Sequence, residues 1–503
     1  MTGNHDVRVA RAFHDATTHT PASIRTSGHT LEWDIKPFPF KVYTDLPTIS
    51  LPRDVDLAEV DTLRALDPAA RTEGQPLTLG RLAALLYLTA GVTRKKTYPG
   101  GGEVLFRAAA STGALYQTEV YVAAGNVQDL PPGLYHFCPG DFTLRRLRDG
   151  DVRHAFAEAA AEPDLARRAA TIVLSALFWR NTWKYQGRGW RHLYWDSGTM
   201  LANLTAAAHG LGLTPRLLTG FVDADVNRLL GLDAEHEAAL ELVEVGPMGS
   251  TAPARGTIDE IRHDVMPLSS AEVDYPELRE MQSASSLATP ADVSAWRKAV
   301  PPGRRRSPSG SMSLPAAIGD AGRGLGDTIQ HRGSSRRFTH APLTVIELAT
   351  MLWWSTRAVA ADVPSGLVDV FLVVNAVDGV PSGAYRYWRD EHALELIRAG
   401  ELRRESAYLC LEQPLGGDAA AVLYFMAPLD ALLAAYGNRG YRLVNLEAGL
   451  IGGRAYLTAY AQRFGATGLT FYDRDVVKFF APASAGLDAI FVTALGRGAR
   501  PSW

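Results

Sequence analysis

The chain contains an internal repeat about half its length, and this feature restricts the possible folds more than any other. Three short motifs recur in the same order, each 250 or 251 residues after its first copy. They are Gly133–Phe137 and Gly383–Tyr387, Tyr185–Arg191 and Tyr436–Arg442, and Phe221–Asp223 and Phe471–Asp473. A constant separation is expected from a tandem duplication, so the chain should fold as two related domains.

The two copies differ in length near their starts. Pro76–Thr78 and Pro342–Thr344 are similar but lie 266 residues apart, so the first copy has extra residues, which we assign to a loop over Thr93–Gly102. The polar stretch between the copies contains Arg304–Arg306, and we interpret this basic triplet as a solvated part of a linker. The predicted units are an N-terminal extension 1–54, a first domain 55–250, a linker 251–312 and a second domain 313–503.

The bulk composition excludes several functional classes. A net charge of −3 gives no argument for binding nucleic acid or an anionic membrane. No apolar run approaches the roughly 20 residues that span a bilayer, and the N-terminus lacks the features of a signal peptide, so we predict a cytoplasmic protein. Cys138 and Cys410 are too few for a disulfide framework or a thiolate metal site, and we expect two buried thiols. His14 and His19 are assigned to packing, and no metal site is predicted.

Hydrophobic periodicity predicts the same mixture of helices and strands in both copies. Each copy has a helix after Pro-Leu-Thr, then alternating strands, a long helix and a final strand. The predicted helices are 79–88, 345–354, 194–211 and 444–464, and the strands include 118–124, 369–374, 241–245 and 490–495. This order has no regular βαβ rhythm and no Gly-x-Gly-x-x-Gly between a strand and a helix. We therefore predict an α+β fold in each copy rather than a Rossmann domain.

Two sets of motifs resemble a known class of flavoproteins. His331–Phe338, which we call the basic signature, is followed by Pro342–Thr344, and together they resemble the start of nitroreductase-like flavoproteins. The first copy is similar to a narrower branch, the FMN-dependent azoline dehydrogenases of the SagB/ThcOx type. The matching segments are His14–His19, Phe38–Tyr43, Arg107–Tyr116, Gly133–His136 and Lys184–Arg191. The resemblance implies two tandem nitroreductase-like domains that form a pseudo-dimer within one chain.

The resemblance also implies FMN as the cofactor. Arginine suits the phosphate and the electron-rich edge of the flavin ring, and small residues let the backbone approach that ring. It assigns flavin binding to Arg332, Gly333, Ser334, Arg336, Gly468, Leu469, Thr470 and Arg497 in the second copy, with Arg497 as a phosphate ligand. In the first copy it assigns Arg107 and the small-residue loop Ala110, Ser111, Thr112 and Gly113.

The two copies lack different parts of this set. Counted without gaps from Pro76 and Pro342, the first copy has Leu66, Pro68 and Ala70 where the second has Arg332, Ser334 and Arg336, unless a gap brings in Arg64 or Arg71. The second copy has a loop shortened to Val363–Gly366, has no counterpart of Arg107, and has Ala435 in place of Lys184. In nitroreductase-like dimers each flavin site takes residues from both subunits. We therefore hypothesise one complete site, and one FMN, per chain.

The resemblance implies that Lys184 and Tyr185 are catalytic, because a Lys-Tyr pair marks the azoline dehydrogenases. These enzymes oxidise thiazoline or oxazoline rings in ribosomal peptides to azoles, with a base that removes a ring proton and a flavin that accepts hydride. A lysine with cationic neighbours has a lowered pKa and can act as base, and Arg188 and Arg191 are candidate neighbours. Because Tyr185 and Arg188 recur in the second copy as Tyr436 and Arg439, a structural role for both stays open.

Two other functions remain compatible with the sequence. One is a different FMN oxidoreductase, such as an NAD(P)H-dependent nitro or quinone reductase or an amide desaturase. The other is a non-catalytic scaffold in a peptide-modification complex. For the favoured function the expected partners are a modified precursor peptide as substrate and a cyclodehydratase, with neither nucleic acid nor membrane.

Overall fold

The structure is a computed structural model, and it describes residues 3–69, 74–97, 102–249, 259–303 and 307–498. The extension and first domain contain α1 Arg8–Ala16, α2 Pro21–Thr26, β1 Thr48–Ser50, α3 Thr62–Ala65, α4 Leu79–Ala90, β2 Val92–Thr97, β3 Glu103–Arg107, β4 Thr118–Ala124, β5 Gly133–Cys138, β6 Thr143–Asp149, α5 Arg153–Ala159, β7 Arg168–Leu177, α6 Phe178–Tyr185, α7 Gly189–Gly210, β8 Arg216–Leu218, α8 Asp223–Leu230 and β9 Glu237–Met248.

The second half begins with two helices of the predicted linker. Its elements are α9 Pro276–Ala284, α10 Pro290–Trp296, β10 Met312–Ser313, α11 Leu325–His331, β11 Leu343–Thr344, α12 Val345–Ser355, β12 Asp369–Val374, β13 Val377–Asp378, β14 Gly383–Trp388, β15 Ala393–Ala399, α13 Arg403–Leu409, α14 Pro414–Asp418, β16 Ala421–Ala427, α15 Leu429–Tyr436, α16 Arg439–Ala461, β17 Gly465–Gly468, α17 Asp473–Phe479 and β18 Asp488–Gly496.

Each copy is built around one seven-stranded antiparallel sheet. The strand order is β1-β6-β5-β4-β7-β9-β8 in the first and β10-β15-β14-β12-β16-β18-β17 in the second. Position by position, these orders are the same, so the duplication extends to the topology. The predicted α+β fold, with two tandem domains that form a pseudo-dimer, is confirmed. None of the helices among the described residues has both the length and the apolar character needed to cross a bilayer.

The predicted helices and strands are present, but several of their bounds differ and one predicted loop has regular structure. The long helices α7 and α16 begin about five residues earlier than predicted, because the repeated Arg-Gly-x-Arg sequence is already helical. The extra residues of the first copy form not a simple loop but an antiparallel hairpin of β2 and β3, in which Arg94 pairs with Phe106. Its tip, residues 98–101, lies outside the described residues, as do Arg304–Arg306.

The two copies meet along α7 and α16, which are buried over almost their full length. Glycines allow this close approach. A Cβ built on Gly198 would lie 2.5 Å from the carbonyl oxygen of Leu446, and one on Gly449 would lie 2.3 Å from that of Trp195. Real Cβ atoms do not come this close to backbone, so larger residues at these positions would force the helices apart.

Two matching ion clusters lock the copies together. Arg188 and Arg191 of the first copy donate to Asp473 of the second, at 3.1 and 2.7 Å. Arg439 and Arg442 of the second copy donate to Asp223 of the first, both at 2.6 Å. All six side chains are buried, where a charge persists only when it is paired. Two of the motifs that reveal the repeat therefore form its interface.

The N-terminal extension and the segment between the copies pack against this interface. His14 contacts the hydroxyl of Tyr441 at 3.1 Å, and the backbone N–H of His19 donates to Asp473 at 2.8 Å. Strand β1 of the extension pairs with β6 and so forms an edge of the first sheet. Cys138 and Cys410 are buried free thiols, as predicted.

Candidate functional site

A cavity of about 770 Å³ lies between the two copies. Both copies contribute to its wall. The first supplies Arg94, Lys95, Lys96, Phe106, Ala110, Ser111, Thr112, Gly113, Ala114, Tyr116, Lys184, Tyr185, His192, Trp195, Asp196 and Thr199, and the second supplies Arg332, Gly333, Ser334, Arg336, Gln413, Leu415, Tyr456, Thr467, Gly468, Leu469, Thr470 and Phe491. The structure thus brings together all but two of the site residues predicted from the sequence.

The small-residue loop is held by a buried carboxylate on α7. Asp196 accepts hydrogen bonds from the Ser111 hydroxyl at 2.6 Å, from the Thr112 backbone N–H at 2.8 Å and from Gln117 at 2.8 Å. Burial raises the pKa of Asp196 to about 6, while these hydrogen bonds act in the opposite direction. Gly113 completes the loop with a φ of 63°, in the left-handed region.

Lys184 and Tyr185 end α6 and face the small-residue loop. Lys184 is half-buried, and desolvation, assisted by the charge of Arg336, lowers its pKa. Its Nζ lies 5.4 Å from the centre of the Tyr185 ring. Burial raises the pKa of Tyr185, which therefore keeps its proton, and a Cβ built on Gly113 would lie 3.0 Å from the Tyr185 hydroxyl. The pair thus places a lysine that loses its proton more easily than usual beside a tyrosine hydroxyl that can donate a hydrogen bond.

The cationic neighbour of Lys184 differs from the one predicted. We expected Arg188 and Arg191, but both are bound to Asp473 in the interface. Arg336 of the basic signature takes their place, so the lysine of one copy is tuned by the arginine of the other. The sequence could not predict this contact, because Arg336 and Lys184 lie in different halves of the chain.

The basic signature is fixed to the first copy by Arg332. Its guanidinium donates to the carbonyl oxygens of Ala108 and Arg107, at 2.8 and 3.0 Å. Next to it, the Ser334 hydroxyl lies 3.0 Å from that of Tyr456, which in turn accepts the backbone N–H of Gly468 at 2.8 Å. The signature, the 468–470 segment and the base of the hairpin therefore form one connected wall.

Arg107 and Arg497 are the two predicted residues that do not line the cavity. The Arg107 guanidinium is buried, donates to the carbonyl oxygen of Pro39 at 2.5 Å and stacks on Phe40 and Tyr116. Arg497 donates to both carboxylate oxygens of Glu347 at 2.8 Å. Arg107 contributes to the site only through its backbone carbonyl oxygen, which accepts from Arg332. Arg497 forms its ion pair with Glu347 outside the cavity.

The sequence analysis also missed residues that line this cavity. Asp196, Tyr456 and Trp195 lie on the long helices, where nothing in the local pattern separates them from packing residues. Arg94 lies on the hairpin, and the length difference between the copies was the one signal that pointed to it.

The corresponding place at the other side of the pseudo-dimer is filled by the chain itself. Trp296 of α10 packs edge-to-face against Tyr436, the counterpart of Tyr185, with ring centres 5.6 Å apart. A Cβ on Gly220, the counterpart of Thr470, would lie 2.9 Å from the Trp296 ring. A side chain of the linker therefore occupies the space between two positions that face the cavity in the first site.

Polar contacts close the same place further. The Asp362 carboxylate accepts the backbone N–H groups of Thr219 and Gly220, both at 2.9 Å, and pairs with Arg297 at 3.0 Å. Arg454 is buried and donates to the carbonyl oxygens of Arg357, at 2.5 Å, and of Leu66. Leu66 is the counterpart of Arg332, and the alternative candidate Arg64 pairs with Asp320 at the surface. Ala70 and Arg71 lie outside the described residues.

One feature is common to the two places. Glu447 lies on α16 at the position of Asp196 on α7, 251 residues later. Its carboxylate accepts the backbone N–H groups of Gly366 and Leu367, at 2.5 and 2.6 Å. Both copies therefore hold the loop with an acid on the long helix, which shows that the two places have one origin.

Comparison with known proteins agrees with this architecture. The model of the family described as the nitroreductase family matches residues 72–246 and 329–497. The chain belongs to the nitroreductase family. Both matched regions coincide with the copies, so this member carries the family's domain twice and is an oxidoreductase of the nitroreductase type.

Individual relatives match one copy or both. A protein of Methanocaldococcus jannaschii that carries the name nitroreductase is 28% identical over 203 residues, which are 40% of this chain and 97% of that protein. The microcin B17-processing protein McbC of Escherichia coli is 26% identical over 152 residues, 29% of this chain and 52% of McbC. The chain thus spans about half the length of McbC.

One solved structure matches nearly the whole chain. It is a protein of Anabaena variabilis, also named as a nitroreductase, with a TM-score of 0.76 and 26% identity over 97% of this chain and 99% of that one. A tandem arrangement of two nitroreductase domains is therefore present in a second protein.

Proposed function

We propose that this nitroreductase-family protein is an FMN-dependent dehydrogenase that oxidises thiazoline or oxazoline rings of a ribosomally made peptide. One observation carries the proposal. Lys184 and Tyr185 share a cavity with the basic signature and the small-residue loop, although these parts come from different copies. Lys-Tyr pairs mark the azoline dehydrogenases that the first copy resembles, and the similarity to a microcin-processing protein supports the same substrate class.

The cavity fits FMN in its chemistry. Arg332 and Arg336 provide positive charge for a phosphate and for a flavin ring that becomes anionic on reduction. At Gly113 an added Cβ would lie 3.0 Å from the Tyr185 hydroxyl, and the absence of a side chain there lets a flat ring approach the backbone of the loop. Bound FMN would supply the two-electron acceptor. The residues named here, with Ser334 and the segment 468–470, would hold it.

The chain's own groups divide the remaining work. Desolvation and Arg336 lower the pKa of the Lys184 amine, so it can act as a base. It can take a proton from one ring carbon while the neighbouring ring carbon loses hydride. Tyr185 keeps its proton and donates a hydrogen bond that orients the substrate. The substrate thus loses two hydrogen atoms, one as a proton to lysine and one as hydride to the acceptor.

The expected partners follow from the substrate. A precursor peptide must reach the cavity already cyclised, because the reaction begins with an azoline ring. We propose that a cyclodehydratase delivers it.

A thiazoline peptide assay with Lys184→Ala tests the function. We expect the wild type to bind flavin, with absorbance near about 450 nm, and to convert thiazoline to thiazole. Lys184→Ala should keep its flavin and lose about 100-fold or more in turnover, the usual contribution of a positioned base. Lys478→Ala is the control, because this lysine is 80% exposed on α17 and should have no effect.

Three outcomes would contradict the proposal. Full turnover by Lys184→Ala would remove the catalytic role of the lysine. Flavin reduction by NADPH without any oxidation of thiazoline would indicate a different FMN oxidoreductase. A colourless protein that still binds the peptide would indicate a scaffold.

A further inference from the structure

The positive charges of the cavity lie in two groups. Arg336 is close enough to Lys184 and Tyr185 to perturb the pKa of both, so it belongs to the end of the cavity where the chemistry is proposed. The other group surrounds Gly333, between Arg332 and Ser334 of the basic signature. Because Arg336 already serves a flavin ring that lies beside Lys184, the part of the basic signature around Gly333 is left for the phosphate.

Each arginine expected to meet that phosphate already has other partners, although Arg332 is bonded to neutral carbonyl oxygens and keeps its positive charge. Arg332 uses Nε and one terminal nitrogen on the carbonyl oxygens of Ala108 and Arg107. Arg497 is bound to Glu347 and does not line the cavity. A phosphate with about two negative charges needs a further cation at this end.

Arg94 is placed to supply it. It lies on β2, exposed, with its guanidinium stacked on Phe106 at 4.7 Å from the ring centre. Both of its terminal nitrogens would lie 3.6 Å from a Cβ on Gly333. Among the described residues, no carboxylate forms an ion pair with Arg94, whereas Glu347 neutralises the charge of Arg497.

The hairpin that carries Arg94 belongs to the first copy alone. In the second copy the chain passes from α12 to β12 without a strand pair. The extra residues therefore lie beside the one place where the basic signature is complete, and not beside the place that Trp296 and Asp362 fill.

We propose that Arg94 is a phosphate ligand of the flavin, contributed by the first copy to the basic signature of the second. This inference rests on the proposed binding of FMN. It replaces Arg497, the phosphate ligand that the sequence alone suggested, with a residue from the other half of the chain. Stacking on Phe106 holds the guanidinium plane in place before the phosphate arrives.

Flavins with and without the phosphate test the proposal. The dissociation constants of FMN and riboflavin are measured on the apo form of the full chain by quenching of flavin fluorescence. Arg94→Ala should weaken FMN about tenfold or more, as expected for loss of a charged hydrogen bond, and leave riboflavin unchanged. Arg94→Lys should recover part of the loss, because it keeps the charge but not the planar fork.

Arg497→Ala is the matched control. It removes an arginine of the same predicted role, and we expect the ratio of the two dissociation constants to stay at the wild-type value. A ratio that changes in Arg497→Ala and not in Arg94→Ala would overturn the inference, as would equal losses for FMN and riboflavin in Arg94→Ala. Wild-type protein that binds neither flavin would instead refute the proposed function.

Discussion

At the level of single residues, buried ionisable groups determine how this molecule responds to pH. Glu241 on β9 is fully buried and accepts one hydrogen bond, from the Ser197 hydroxyl at 3.1 Å. Its other carboxyl oxygen has no hydrogen-bond partner among the described residues. Burial raises its pKa to about 8, so the folded protein holds a proton there that the unfolded chain releases near pH 4.5.

Glu241→Gln should make the protein less sensitive to alkaline pH. The pKa of Glu241 is higher in the folded protein than in the unfolded chain. Its contribution to the free energy of unfolding is therefore fully present below about pH 4.5 and is lost as the pH rises through about 8. Glutamine keeps the shape and the acceptor without ionising. The variant's gain in thermal midpoint over the wild type should grow from pH 5 to pH 9, and a constant difference would contradict the assignment.

At the level of elements, the small-residue loop is useful because α7 fixes it. Asp196 holds the loop from one side, and the Tyr185 hydroxyl closes it from the other at Gly113. The left-handed φ of Gly113 adds a second reason for glycine, because other residues cost about 1–2 kcal/mol in this region. The backbone conformation and the space in the cavity therefore both require glycine at position 113.

Two glycine substitutions separate these effects. Gly113→Ala and Gly322→Ala share nearly the same φ, 63° and 66°, but an added Cβ at Gly322 meets nothing within 4 Å. Both variants should lower the thermal midpoint to a similar extent. Only Gly113→Ala should also lower turnover, by about tenfold or more, because it displaces Tyr185. Equal turnover in the two variants would mean that the loop tolerates a side chain beside the tyrosine.

The elements also show what the sequence could predict. Helix and strand positions and the duplication follow from periodicity and from motifs that recur at one spacing, and nearly half of the cavity residues follow from the resemblance to nitroreductase-like flavoproteins. Asp196, Arg94 and the Arg336–Lys184 contact do not, because each depends on residues that become neighbours only after the copies pack. Trp296 lies in the predicted linker and Asp362 directly precedes the shortened loop Val363–Gly366, and no local pattern at either residue predicts that it fills a site.

At the level of the whole molecule, the pseudo-dimer is symmetric in its interface and asymmetric in its sites. The paired clusters around Asp223 and Asp473 are equivalent down to the residue types. The two candidate sites are not, because one is a cavity and the other contains Trp296, Arg297 and Asp362. The two halves are therefore alike where they meet and different where a ligand would bind.

The chain should bind one flavin. Protein saturated with FMN and then desalted should have a flavin-to-protein ratio near one, measured by absorbance, because the second place lacks the basic signature and is filled. Arg336→Ala should lower this ratio, which assigns the bound flavin to the first site. Asp362→Ala should leave it near one while lowering the thermal midpoint, since it leaves Arg297 without its partner. A ratio near two would contradict a single site.

Joining the two halves in one polypeptide changes the genetics of the enzyme. In a homodimer every mutation enters both active sites at once, so a residue needed in one role cannot be given up in the other. Here a mutation in one copy leaves the other copy unchanged. Because both copies belong to one polypeptide, the two unequal copies always assemble with each other. Residues such as Trp296 could accumulate without harm to catalysis, and protein engineers can alter either half of the site by a single codon.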